Sequence, residues 1–139
     1  MTRADFYLLD IPFSELSHFA CRLLQKIFQQ KLSAYLYVAS KAEASRWDAL
    51  LWAFNDVSFL PHALYEKNLT LQVPIYVGHT TPNTPLDVLV NLTDTPPDFY
   101  SDFSRIVEIV PQEENLRAQA RKKYQFYQQE NCQLQMNTL

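Results

Sequence analysis

Glycine is almost missing from this chain: Gly78 is the only one among 139 residues. A loop that cradles phosphate lets backbone amides approach the ligand, and it needs several glycines to do so. The composition therefore argues against a Rossmann or P-loop nucleotide site. The turn after the first expected strand, where such a loop would sit, reads Asp10-Ile11-Pro12-Phe13. Proline there removes an amide donor. Cysteine is scarce too. Cys21 and Cys132 stand far apart and form no CxxC pair, too few ligands for a disulfide framework or a zinc site. His18, His62 and His79 lie at no metal-ligand spacing. We expect no metal and no cofactor.

A basic excess is also lacking. The net charge is -3, whereas a domain that wraps nucleic acid usually carries clustered positive charge. Contact with nucleic acid is expected to be indirect. No apolar run approaches the ~18 residues of a membrane span. The opening MTRADFYLLD has an early acid and too short an apolar stretch for a signal peptide. Asn-x-Thr triplets at Asn68 and Asn91 then read as chance matches. These absences together describe a soluble, reduced, cytoplasmic protein.

What is present is a globular composition, with 47% hydrophobic and 19% charged residues. Residues 5–9 read as a short strand, and Ser14 as the cap of a helix. Leu16, Phe19, Ala20, Leu23, Leu24, Ile27 and Phe28 recur at helical spacing over 14–30. Residues 34–39 form a second strand. Ser40 and Glu43 predict a capping box for a helix from Lys41 to Ala53. Further strands are expected at Val73–His79, Leu86–Leu92 and Arg105–Val110, with a helical turn near Phe99–Phe103. Pro111 suits the start of a last helix, which reaches about Gln129. The fold class is α/β: one three-layer domain over 1–139 with a largely parallel sheet flanked by helices, Rossmann-like without a nucleotide site. Residues 130–139 are polar and expected to form a loose tail.

No catalytic constellation emerges. Cys21 reads as a buried inert thiol. Asp87 and Asp94, flanking a strand, read as solubilising acids. Two segments do stand out. Leu51–Leu64 places Trp52, Phe54, Phe59 and Leu60 just beyond a helix, and so many large apolar groups are either core or an interface. The residues alone favour core. On the last helix, Arg117, Arg121, Tyr124 and Gln128 share one face, with Lys122 and Lys123 beside it and Leu116, Ala120 and Tyr127 on the packing side. This is either a solvated face with cations toward the helix C-terminus or a strip that captures acidic peptide.

The segments Phe6-Tyr7-Leu8-Leu9, SFLPHAL at 58–64 preceded by Leu51-Trp52, Pro74-Ile75, Leu86–Leu92 and RIVEIVP at 105–111, followed by Ala120-Arg121 and Tyr124, occur in one order across nearly the whole chain. In these the sequence resembles the chi subunit of bacterial DNA polymerase III. The resemblance implies a non-catalytic accessory subunit of the clamp loader with two partners. One is the psi subunit, facing Trp52, Phe59, Leu60, Pro61 and His62. The other is the acidic C-terminal tail of single-stranded DNA-binding protein, held by Val110, Arg117, Arg121, Lys122 and Tyr124. Lys122 and Lys123 would steer the encounter. Gln125 departs from the family, standing where a basic residue can occur. The rival class is a small cytoplasmic α/β enzyme, which needs a glycine-rich loop or a clustered acid, base or nucleophile.

Overall fold

In the computed structural model, residues 2–54, 60–66, 72–83 and 86–138 are described. Among these residues seven strands form one sheet: β1 (Arg3–Leu8), β2 (Ala34–Tyr37), β3 (His62–Leu64), β4 (Ile75–Gly78), β5 (Val88–Asn91), β6 (Arg105–Val110) and β7 (Gln133–Thr138). Their spatial order is β3-β4-β2-β5-β6-β1-β7, and every pairing is parallel. Among the described residues three α-helices cover the sheet: α1 (Leu16–Gln29), α2 (Lys41–Ala53) and α3 (Glu114–Gln129). Helices α1 and α2 pack on one face and α3 on the other, each over its own apolar cluster. This is the expected three-layer α/β domain.

Burial on both faces explains the continuous apolar strands. All four residues of β4 and of β5 are buried, as a parallel sheet between two helical layers requires. The face of α1 foreseen from its spacing is likewise turned inward. Leu24 and Ile27 are buried, each worth roughly 1.5–3 kcal/mol. Cys21 is buried beside them. Gly78 occupies a place where a side chain does not fit: a Cβ there would run into the Tyr35 ring. With no glycine to spare, the chain closes α1 and α3 on Lys31 and Asn131 in the left-handed conformation (φ 63 and 61). At the end of α3, Cys132 N–H donates to Tyr127 O and Asn131 N–H to Gln128 O, the two bonds of a Schellman closure.

Several expectations need correction. Residues 133–138 are not loose: they form β7, in register with β1 from Arg3↔Gln133 to Leu8↔Thr138. Six backbone-pairing residues outweigh a polar composition when the neighbouring edge is open. Ser14 does not cap α1. Residues 13–15 make a 3-10 turn without a side-chain cap, and α1 begins at Leu16. The Phe13 N–H instead donates to both carboxylate oxygens of Glu113, at 3.1 and 3.0 Å. Pro111 does not open α3, which starts at Glu114 behind an extended Glu113. At α2 half of the capping box forms: Ser40 accepts from the Glu43 N–H, while the Glu43 carboxylate pairs with Arg46 at 2.9 Å. A strand at His62–Leu64 joins those expected, and those at Ile75–Gly78 and Val88–Asn91 are shorter than foreseen.

Candidate functional site: two hollows beside the last helix

The i, i+4, i+11 spacing along α3 places Arg117, Arg121 and Gln128 above one hollow of about 540 Å3. Its floor is apolar, built from Phe6 and Leu8 of β1, Val110 of β6 and Met136 of β7. Parallel register explains that floor. Phe6 pairs with Met136 and Leu8 with Thr138, so the same side of both strands faces α3. Tyr124 leans over the floor, its ring 5.5 Å from that of Phe6. Val110, Arg117, Arg121 and Tyr124, singled out in the sequence, thus line one cavity.

The two arginines differ in their anchoring. The Arg117 guanidinium donates to Leu9 O at 3.1 Å and to Pro111 O at 3.3 Å. It is fixed over the carboxyl ends of β1 and β6, and its remaining donors can meet a carboxylate. Arg121 is exposed and pairs with Glu114 at 2.7 Å. That hydrogen bond and its charge hold the Glu114 carboxyl below the usual carboxylate range. Lys122 is exposed and lies outside the lining of the hollow, and Gln125 stands at its rim.

Lys123 does not steer anything from the surface. It is 9% exposed and points into the protein, where Nζ lies 2.8 Å from Glu108 Oε1 and 3.0 Å from Thr93 O. Glu108 also accepts from Asn91 Nδ2 and from the Tyr127 hydroxyl, both at 2.8 Å. Burial pushes the Glu108 carboxyl up, against the pull of Lys123 and its other partners. The Tyr127 hydroxyl is pushed up by burial and by Glu108. Sequence alone places Lys123 on a charged strip because it adjoins Lys122 and Arg121. The helical turn sends it to the opposite side.

A second hollow, about 470 Å3, opens on that side at the carboxyl ends of β2, β5 and β6. Trp47, Asn91, Thr93, Leu116 and Gln119 contribute to its walls. Among the described residues, no group of three or more His, Cys, Asp or Glu is placed to hold a metal ion. No described helix is long and apolar enough to cross a membrane.

The other sequence candidates gather at the far end of the sheet. Trp52, on the last turn of α2, is 59% exposed. Its ring rests 4.6 Å from the His62 ring. His62 itself is buried, with Nδ1 2.8 Å from Leu60 O and Nε2 3.4 Å from Asp48 Oδ1. Leu60 is buried in the core cluster under α1 and α2, and Pro61 is half-buried. Leu60 and His62 therefore support this surface from below and do not form it. Phe59 lies outside the described residues.

Three strand residues of the first hollow, Phe6, Leu8 and Met136, were not marked as site residues in the sequence. The alternation of Phe6 and Leu8 along one strand held the signal for the first two. Met136 had none, because it was assigned to a tail.

The family described as DNA polymerase III chi subunit, HolC, matches residues 1–135. The DNA polymerase III subunit chi of Pseudomonas aeruginosa is 38% identical over 142 residues, covering 100% of this chain and 98% of that protein. The subunit chi of Escherichia coli is 27% identical over 134 residues, covering 91% of each. Among solved structures, the crystal structure of T4 UvsW superposes with a TM-score of 0.68 at 10% identity. It covers 99% of this chain, which spans 41% of that longer one. At that identity the likeness concerns the fold alone.

Proposed function

The chain belongs to the family of the DNA polymerase III chi subunit, and from that premise we propose that it is a non-catalytic connector between the clamp loader and coated single-stranded DNA. One end binds psi and the other binds the acidic C-terminal tail of single-stranded DNA-binding protein. It works in the cytoplasm and meets nucleic acid only through these partners.

The observation that carries this reading is the hollow beneath α3. Two guanidinium groups stand at its mouth above an apolar floor of Phe6, Leu8, Val110 and Met136. The resemblance implies a tail that ends in acids and a terminal phenylalanine, and such a ligand needs both features. The planar forks of Arg117 and Arg121 suit carboxylates, and the floor with Tyr124 suits the ring. The exposed Trp52 supports a separate psi-facing surface, since large rigid aromatics dominate interface energetics.

The two surfaces lie on different elements, so both partners should bind at once. Size-exclusion chromatography of the chain with psi and single-stranded DNA-binding protein tests this. One complex containing all three is the expected result. Mutually exclusive binding, or no association with either partner, contradicts the proposal.

A further inference from the structure

Strand β7 ends the sheet, and among the described residues no strand lies beyond it. The Gln133 N–H donates to Thr2 O across the β1 side. Backbone polar groups alternate along a strand, so Gln133, Gln135 and Asn137 face β1, while the amides and carbonyls of Leu134, Met136 and Thr138 point outward. Natural edges are usually blunted by lysine, proline, a bulge or a very short strand. At the other edge, β3 has only three residues. β7 has six, reads QLQMNT, and contains neither charge nor proline. Met136 is 48% exposed and also lines the hollow beneath α3. The open edge and the proposed tail site are therefore one continuous surface.

We propose that the acidic peptide taken by this hollow binds as an eighth, parallel strand on β7. The inference rests on the tail-binding reading above and specifies its geometry. Direction follows from the arginines. Leu8 pairs with Thr138, and Arg117 is bonded to Leu9 O and Pro111 O, so the guanidinium stands over the carboxyl ends of β1 and β6, at the same end of the sheet where β7 stops. A strand added in parallel ends there, with its terminal carboxylate toward Arg117. An antiparallel strand would bring its N-terminus to the same place, which the charge disfavours. The outward groups of Met136 and Thr138 supply main-chain bonds independent of sequence, and the hollow supplies selectivity for the last side chain. This is the division of labour in strand addition. The uncharged edge offers no repulsion to the acids upstream.

Amide hydrogen exchange of the intact chain, followed by NMR, tests the inference. The probe is a synthetic acidic peptide of about eight residues, a strand-sized length, ending in phenylalanine with a free carboxylate. At saturation, exchange at Met136 and Thr138 should slow at least about tenfold, matching a bond worth ~1.4 kcal/mol. Gln135 and Asn137, already paired to β1, should change little. A spin label on the peptide N-terminus should broaden resonances near Gln133 more than those near Thr138. If the peptide shifts Arg121 and Tyr124 resonances yet leaves Met136 and Thr138 exchange unchanged, strand addition is wrong and the tail site stands. Broadening centred on Thr138 overturns the parallel direction. No shift anywhere in the chain removes both the inference and the reading beneath it.

Discussion

Lys123 Nζ and Glu108 Oε1 lie 2.8 Å apart in the layer between α3 and the sheet. Glu108 is 1% exposed and Lys123 9%. Removing one partner of a buried pair leaves an uncompensated charge and costs roughly 3–5 kcal/mol. Lys123→Met should lose stability on that scale in urea denaturation. The double variant Lys123→Met/Glu108→Gln should recover part of it, because a neutral amide can keep the bonds to Asn91 and Tyr127. The pH dependence of Lys123→Met has a definite sign. Burial already raises the Glu108 carboxyl in the fold. A raised folded value means stability is full below the ordinary carboxylate range and is lost as pH rises through the raised one. The single variant should thus be more stable at pH 5 than at pH 8, and equal stability would contradict this account.

The pair of Arg121 with Glu114 makes two opposite predictions. Arg121→Ala should weaken binding of the acidic peptide by roughly 1–3 kcal/mol, as expected for a charge-assisted contact. Glu114→Gln should strengthen binding a few-fold, because the carboxylate 2.7 Å from Arg121 competes with the peptide. Fluorescence anisotropy with labelled peptide reads both. A Glu114→Gln variant that binds more weakly would show that the carboxylate positions the guanidinium and does not compete for it.

At the psi-facing end, Trp52 is exposed and rests on the His62 ring. Trp52→Ala should change folding stability by no more than about 0.5 kcal/mol, as for an ordinary surface position. It should cost about 2 kcal/mol or more in psi binding if the residue is a hot spot. Calorimetric titration with psi, paired with a thermal melt, separates the two effects. Large destabilisation with unchanged psi affinity would make Trp52 a structural residue.

Burial pushes the Cys21 thiol up to about 11 from its ordinary 9.0. The folded value is the higher one, so this group's contribution to stability is complete below pH 9 and is lost as pH rises toward 11. Between those limits the melting temperature of the natural chain should fall more steeply than that of Cys21→Ala. Parallel slopes would count against it.

The pattern of hydrophobic residues made the layers legible because burial on two faces leaves largely apolar runs, as in Val88–Asn91 and, interrupted by Glu108, Arg105–Val110. The i, i+4, i+7 spacing likewise brought Arg117, Arg121 and Tyr124 to one place. β7 was not legible. An edge strand with mixed exposure has no apolar alternation to announce it, and its pairing depends on β1, more than a hundred residues away in the chain. The loss of β7 from the reading hid Met136 and the open edge. Lys123 was misplaced for a different reason. Its charge is compensated by Glu108, fifteen positions earlier on a strand, and local sequence holds no sign of that partner. Ser14 failed as a cap because it lies inside the 3-10 turn of residues 13–15, which leaves Glu15 at the cap position of α1.

The proposal that the hollow beneath α3 reads an acidic terminus is tested by calorimetric titration of the chain with single-stranded DNA-binding protein, intact and lacking its final residues. The intact protein should bind, more weakly as salt screens the arginines. The truncated protein should not bind, and neither should the intact one to the Arg117→Ala/Arg121→Ala variant. Equal affinity of the intact and truncated proteins would contradict the account.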